Sequence, residues 1–386
     1  MRFSGFDDEW IEEKLGNLVQ IKSGECTKNL ITGIDNSIPY FKVEQLNNSL
    51  KYQIKTPYFI NDKSKIVNKG SIIFPKRGAA ILLNKIRILN QDSFMDTNLM
   101  TLTPNNKLYN EFLYYFIYKE NLSKIADTTS IPQLNNKHIK PYPIKLPSFE
   151  EQLKISKFIS SVDKKVALLS QNLEIFNDFK KGLLQQIFTQ KLRFDDNCQY
   201  KTKQVKDFLI ESKIEGIDDI NKRLTVKLNL KGITVRESKT IEIEGATKQF
   251  IRKTGQFIYG KQNLHKGAFG IIPKELDGYL TSSDIPSFDF KGGIEPKWFY
   301  YYFARKSFYE KLENLSTGTG SKRISPKEFL NIKIIVPEFK EQHKIVCLLE
   351  KFDEKINGIS NQIVQMNMFK KSLLQQMFVS MRTMVS

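Results

Sequence analysis

Residues 147–188, PSFEEQLKISKFISSVDKKVALLSQNLEIFNDFKKGLLQQIF, return 190 positions later as residues 337–378, PEFKEQHKIVCLLEKFDEKINGISNQIVQMNMFKKSLLQQMF. Roughly 18 of the 42 pairs are identical, and about a third of the rest exchange one apolar side chain for another. Weaker echoes lie outside the segment: Arg2-Phe3 resembles Arg193-Phe194, and EFLYYFI (111–117) resembles KWFYYYF (297–303). The 386 residues therefore read as a tandem duplication of about 190 residues, each copy opening on a divergent part and closing on a well-preserved one.

The preserved parts have the period of a helix. In the first, Ile155, Ile159, Val162, Val166, Leu169, Leu173 and Phe176 step by four and three, and Leu183 and Ile187 resume the phase after Lys180. In the second, Ile345, Leu349, Phe352, Ile356, Ile359, Ile363 and Met366 do the same, with Leu373 and Met377 after Lys370. Pro147 and Pro337 stand where a proline near a first turn is expected. At about 1.5 Å per residue, some 38 helical residues span roughly 57 Å, more than a domain of this size can bury. A strict 3.5-residue spacing suits a helix partner better than a flat sheet, so the two helices are expected to pair with each other as a coiled coil rather than each packing on its own domain. Lys180 and Lys370 sit on the seam at the same repeat position, as a register-setting polar pair or as lysines that snorkel to water.

The divergent parts read as α+β domains. Residues 1–146 offer β-rich runs at Gly70–Phe74, Ala80–Leu83 and Leu99–Leu102 and a helix around Asn110–Lys124; residues 195–336 offer Gly255–Tyr259, Phe269–Ile272 and a helix around Pro296–Leu312. The expected organisation is a first domain over 1–146, a first spacer helix with its connection over 147–194, a second domain over 195–336, and a second spacer helix with a tail over 337–386.

Composition limits what such a chain can do. Lys and Arg number 60 against 42 Asp and Glu, a formal +18. Residues 1–146 hold 20 basic and 14 acidic side chains and residues 195–336 hold 25 and 18, so most of the excess lies on the two domains. Two basic domains joined by a helical spacer suit a long polyanion touched at two places. The three cysteines, Cys26, Cys198 and Cys347, form no CxxC, which excludes a disulfide framework and a cysteine-rich zinc site and fits a reducing, cytoplasmic setting. No apolar stretch approaches 18 residues, so no membrane span or signal peptide is expected.

Catalytic signatures are missing from the sequence. It has no Pro-Pro dipeptide and hence no Asn/Asp/Ser-Pro-Pro-aromatic loop of an amino-methyltransferase. No GxxxxGK[ST] is present, and Gly318-Thr-Gly320 follows no strand. His138, His265 and His343 have no zinc-type spacing, and the carboxylates do not cluster as in a nuclease. No catalytic residue, metal or cofactor is expected; this chain binds. A coiled-coil adaptor that binds only proteins is the alternative from another class.

RFSGFDDEW-IEEKLGNL at the start, LPSFEEQLKI…FKKGLLQQIFTQKLRF in the middle and VPEFKEQHKI…FKKSLLQQMF at the end resemble the specificity subunit of type I restriction–modification systems. The resemblance covers nearly the whole chain. It implies two target-recognition domains, each reading one half of a bipartite asymmetric sequence in double-stranded DNA. It further implies two helices packed antiparallel that fix the gap between the half-sites, two docked modification (adenine methyltransferase) subunits, and restriction subunits in the holoenzyme.

Candidate DNA contacts come from basic and amide clusters in loops. In the first domain these are Lys76, Arg77 and Gly78, whose glycine lets backbone approach phosphate, and the polar run Gln133, Asn135, Asn136 and Lys137, whose amides suit adenine edges. In the second they are Lys261, Gln262, His265 and Lys266, with Lys322 and Arg323.

Overall fold

The computed structural model describes residues 2–378 apart from 28–29, 33–36, 62–65, 128–130, 238–244, 246 and 317–322. The helices that organise it are α1 (Asn110–Glu120), α2 (Phe149–Phe188), α3 (Pro296–Phe303) and α4 (Phe339–Met377). Contacts divide the chain into two units: Met1–Ser170 with Asn361–Ser386, and Gln171–Ser360. Each long helix thus begins in one unit and ends in the other.

The first unit is built on a five-stranded sheet in the order Val19–Ser23, Leu99–Pro104, Ile72–Pro75, Arg87–Leu89, Tyr52–Gln53, antiparallel except for its last pair. Phe59–Ile60, Ile38–Phe41 and Phe94–Met95 make a smaller sheet. Helix α1 turns Phe112, Leu113, Tyr115 and Ile117 into the core, where they meet Ile155, Ile159 and Val162 from the start of α2. Leu373, Leu374 and Met377 from the end of α4, and Phe378 just beyond it, join the same core.

The second unit repeats the plan. Its main sheet runs Leu209–Ser212, Ser287–Phe290, Phe257–Tyr259, Phe269–Ile271, all antiparallel, beside a smaller sheet of Glu215–Gly216, Gln249–Ile251 and Leu280–Ser282. Helix α3 buries Trp298, Phe299 and Phe303 against Phe257 and Phe329, with Ile345 and Leu349 from the start of α4 and Ile187 from the end of α2.

In both units the domain closes on an antiparallel ladder, Ile11–Lys14 with Pro143–Leu146 and Tyr200–Gln204 with Lys333–Pro337, immediately before its long helix. The repeated Glu-Gln of the helix start then fastens helix to domain. Gln152, 1% exposed, accepts from the Tyr109 N–H at the head of α1 (2.8 Å) and donates to the carbonyls of Lys107 (3.0 Å) and Pro147 (3.1 Å). Gln342, also 1% exposed, accepts from the Glu295 N–H at the head of α3 (2.8 Å) and donates to the carbonyls of Gly293 (3.3 Å) and Pro337 (3.0 Å). The neighbouring glutamates differ: Arg2 binds Glu151 through two nitrogens (3.0 and 2.8 Å), whereas Glu341 accepts from the Phe194 backbone N–H (2.8 Å).

Within each unit the two helix segments run antiparallel. Lys370 pairs with Asp163 (2.6 Å) in the first, and Lys180 pairs with Asp353 in the second. The repeat shift carries one pair into the other, so the seam lysines are a register pair rather than snorkelling side chains. Each aspartate also accepts from a domain tyrosine, Tyr115 Oη on Asp163 (2.7 Å) and Tyr301 Oη on Asp353 (2.6 Å). The seam positions are all buried or half-buried, including Leu173, Phe176, Ile363 and Met366, whose immediate sequence neighbours are exposed.

Two local expectations are corrected. Ala80–Leu83 forms no strand: Gly78 takes φ +81°, and Ile81 and Leu82 donate to the carbonyls of Gly78 and Ala79 (both 3.1 Å) in successive turns. Only Ile81 reaches the core, while Leu82 and Leu83 are exposed. The helix expected over 296–312 breaks after Phe303, because Arg305 is extended and lays its guanidinium over the rings of Tyr302 (4.2 Å) and Phe188 (4.9 Å).

Because Leu373 is buried in the first unit although it lies far from Met1–Ser170 in sequence, Leu373→Ala should destabilise that unit by about 2–5 kcal/mol. Hydrogen exchange resolved by segment should then rise in 72–117 and stay unchanged in 257–303.

Candidate nucleic-acid interface

In the first domain the strand Ile72–Pro75 runs into the turn at Lys76–Gly78, and backbone bonds lace that turn to the polar run. Lys76 donates to the Asn98 carbonyl (2.8 Å) and its own carbonyl accepts from Leu134 (2.9 Å), while Gly78 donates to the Pro132 carbonyl (2.9 Å). Arg77 and Gln133 consequently stand opposite each other in an antiparallel bridge. Lys76 is half-buried, and burial together with the Arg77 charge lowers its pKa; Arg77 is exposed. Asn135 then caps a short helix, its N–H donating to His138 Nδ1 (3.1 Å), and this turns Asn136 and Lys137 outward. Asp127 lies 3.2 Å from Lys137 Nζ and 3.3 Å from His138 Nε2, and the Lys137 hydrogen bond holds its carboxyl below the usual range. The sequence candidates of this domain, two stretches more than 50 residues apart, form one surface.

The second domain uses the same lacing with other side chains. Lys261 donates to the Asp284 carbonyl (2.9 Å), and its carbonyl accepts from Ile324 (2.9 Å), as Lys76 does with Asn98 and Leu134. Gln262 follows Lys261 where Arg77 follows Lys76, and Arg323 precedes Ile324 where Gln133 precedes Leu134. The arginine and the glutamine have changed places. Arg323 Nη1 reaches Asp284 Oδ1 at 3.0 Å. Ser325, at the place of Asn135, caps the next short helix by accepting from the Glu328 N–H (3.2 Å). His265 and Lys266 are set apart from this group: they lie on a 3₁₀ turn, Leu264–Lys266, whose Lys266 carbonyl accepts from Asn229 (2.9 Å). Lys322 lies outside the described residues.

Asn98, Asp284 and Asp127 belong to these surfaces and carry no sequence signature of their own. Asn98 and Asp284 stand 186 residues apart, the shift that relates EFLYYFI to KWFYYYF, and that offset is the one signal able to find them. Among the described residues no group of three or more His, Cys, Asp or Glu side chains could hold a metal ion, and no helix is long and apolar enough to cross a membrane.

Comparison with known proteins agrees with the duplicated geometry. The family model described as the type I restriction modification DNA specificity domain matches twice, over residues 7–175 and 200–365. The chain is 22% identical over 398 residues to the type I restriction enzyme MjaVIII specificity subunit of Methanocaldococcus jannaschii, covering 95% of this chain and 91% of that protein. It is 21% identical over 420 residues to the EcoDI specificity subunit of Escherichia coli, covering 96% and 88%. The fold matches the crystal structure of the type I restriction–modification S subunit from M. genitalium with a TM-score of 0.59 at 15% identity, over 98% of both chains. With two copies of one domain family filling most of its length, and each copy carrying the same laced loop before the same long helix, the chain belongs to the type I restriction–modification DNA specificity family.

Proposed function

We propose that this chain selects the DNA sequence on which a type I restriction–modification assembly acts, and that it does no chemistry itself. Residues 1–146 read one half of a bipartite asymmetric target in double-stranded DNA, and residues 195–336 read the other. The paired helices hold the gap between them and present matching surfaces to two modification (adenine methyltransferase) subunits, with restriction subunits completing the assembly in the cytoplasm. The observation that carries this reading is the repeated lacing of Lys76 to Leu134 and of Lys261 to Ile324, which offers Arg77 and Gln133 in one copy and Gln262 and Arg323 in the other. A common frame with exchanged donors is what reading two different half-sites requires, because backbone placement sets the register and side chains on base edges set the sequence. An adaptor that binds only proteins would need neither the basic excess of the two domains nor this exchange. A self-complementary pair of helices also accounts for one asymmetric chain taking two identical partners, since related surfaces recur along it.

The first test is division of labour. The purified chain alone should transfer no methyl group to DNA, and addition of its modification subunit should produce adenine methylation at one bipartite sequence, read by genome-wide mapping. Methylation by the lone chain at an undiminished rate would reject the assignment.

A second test addresses the loop. Replacing Lys76 and Arg77 together by alanine should weaken DNA binding and flatten the dependence of log affinity on log salt by about 0.9 for each phosphate no longer neutralised. The sequence preference at the half-site read by residues 195–336 should be unchanged. Equal affinity and equal salt slope in the double variant would take this turn off the DNA.

A third test lengthens the spacer. Seven residues inserted after Ser170 and seven after Ser360, positions related by the repeat, keep the heptad phase and extend each helix by about 10 Å. The methylated half-sites should be unchanged while the gap between them grows by about three base pairs, at roughly 3.4 Å of rise apiece. Methylation at the original gap would exclude the helices as its determinant.

A further inference from the structure

Beside the laced loop of the second domain lies a cleft of about 510 Å³ whose floor contains Arg252. That residue is 1% exposed, and its guanidinium is held entirely by neutral acceptors: the Thr281 hydroxyl (2.6 Å), the Ser212 carbonyl (3.2 Å), the Ser287 hydroxyl (2.7 Å) and the Ile285 carbonyl (3.1 Å). Its five N–H groups therefore have four partners, and among the described residues no carboxylate lies within ion-pairing distance. The Phe250 ring, 5.4 Å away, is its other electron-rich neighbour. Burial lowers the Arg252 pKa to about 10 against the opposing pull of the Glu211 charge, which leaves the group charged near neutrality. A buried charge without a partner in direct contact is costly, and proteins retain one where something else supplies the opposite sign.

The rim shows which sign is wanted. Lys261 and Lys327 both line the cleft, and among the described residues neither has a carboxylate within ion-pairing distance. Lys213 lines it too and is matched by Glu211 at 3.0 Å, so that pair cancels. Three positive charges remain around one concavity. The corresponding place in the first domain, at the end of the equivalent strand, is smaller at about 280 Å³ and is lined by one lysine and one glutamate, Lys22 and Glu25, with Val67 and Met95. Lys261 and Lys327 have counterparts in Lys76 and Lys137 of the first copy, the latter paired with Asp127 at 3.2 Å, so the charge that belongs to the second copy alone is the buried Arg252.

We propose that the Arg252 cleft seats a backbone phosphate of the DNA next to the bases read by the second domain. This rests on the DNA-reading function proposed above and adds the ligand group and its place. A non-bridging oxygen can take the remaining guanidinium N–H, with Lys261 and Lys327 closing on the same group from the rim, which is the geometry in which arginine and lysine combine on phosphate. The half-site read by residues 195–336 then has one phosphate whose charge matters more than its neighbours', and the other half-site has no such phosphate.

The test uses the full chain assembled with its modification subunit, on a duplex bearing the sequence that the assembly methylates. A set of duplexes in which one phosphate at a time is replaced by an uncharged methylphosphonate is compared on the native chain and on Lys327→Gln and Arg252→Gln. The native assembly should lose about tenfold in affinity at one phosphate of the second half-site. Lys327→Gln should flatten the salt slope by about one and remove the sensitivity to that substitution. Arg252→Gln should do the same where it folds; Lys327 is on the rim and keeps the test available where it does not. An unchanged slope in Lys327→Gln, or a methylphosphonate profile shared by native and variant chains, would overturn the phosphate seat while leaving sequence-specific binding intact. Inorganic phosphate that raises the melting temperature only when Arg252 is present, with no coupling to any DNA phosphate, would overturn it as well by making the cleft a small-anion site. Absence of sequence-specific binding by the native assembly would remove the DNA-reading function itself and the seat with it.

Discussion

A buried glutamine amide needs all its partners, and in this chain that requirement fixes each domain to its helix. Gln152 and Gln342 each close three hydrogen bonds with the backbone, two of them to the segment that leads into a domain helix. Losing such a side chain would leave buried N–H and carbonyl groups unsatisfied at about 1–3 kcal/mol apiece. The amide cannot drift, so the helix leaves its domain in one direction only. The aspartates further along the helices, Asp163 and Asp353, extend the same logic: each is shared between a domain tyrosine and a lysine of the antiparallel helix. A frame pinned by these few polar bonds leaves the loops free to change.

Much of that frame is legible in the sequence because period and repetition are long-range signals. The seam residues Ile155 to Ile187 and Ile345 to Met377 follow a spacing that a helix alone explains, and two copies double the evidence. Glu-Gln is visible as a repeated pair of letters, but its role is not, since the first of its backbone partners lie 43 and 45 residues upstream. The strand expected at Ala80–Leu83 fails for a local reason: the run is apolar enough for a strand, but Gly78 has already turned the chain. Arg252 is invisible because nothing in its neighbours Phe250, Ile251, Lys253 and Thr254 marks a guanidinium for burial; the groups that hold it come from Ser212, Thr281, Ile285 and Ser287. For the same reason His265 and Lys266 look equivalent to Lys261 in sequence, and only the 3₁₀ turn separates them.

The two copies differ where recognition would demand it. Their closing ladders, glutamine clasps and lysine–aspartate pairs recur at matching positions, whereas Arg77 and Gln133 give way to Gln262 and Arg323. Val67 and Met95 line one cleft while Arg252 lines the other. Symmetry is thus carried by the groups that fasten helix to domain and helix to helix, and asymmetry by the laced loops and the buried residues of the clefts beside them.

The division of the chain has a consequence for biosynthesis. The core that contains the first strands also contains Leu373, Leu374, Met377 and Phe378, which are made long after those strands. The second unit, Gln171–Ser360, has every part of its core as soon as residue 360 has left the ribosome. The order of synthesis and the order of completion are therefore reversed: the domain translated first must wait, with the Phe112 and Phe116 side of its helix uncovered, until Phe378 and the end of α4 arrive. Completing that core requires contacts that span some 200 residues of intervening chain, which local helix formation does not supply. During that interval the nascent first domain is the part of the molecule most exposed to chaperones, proteases and self-association.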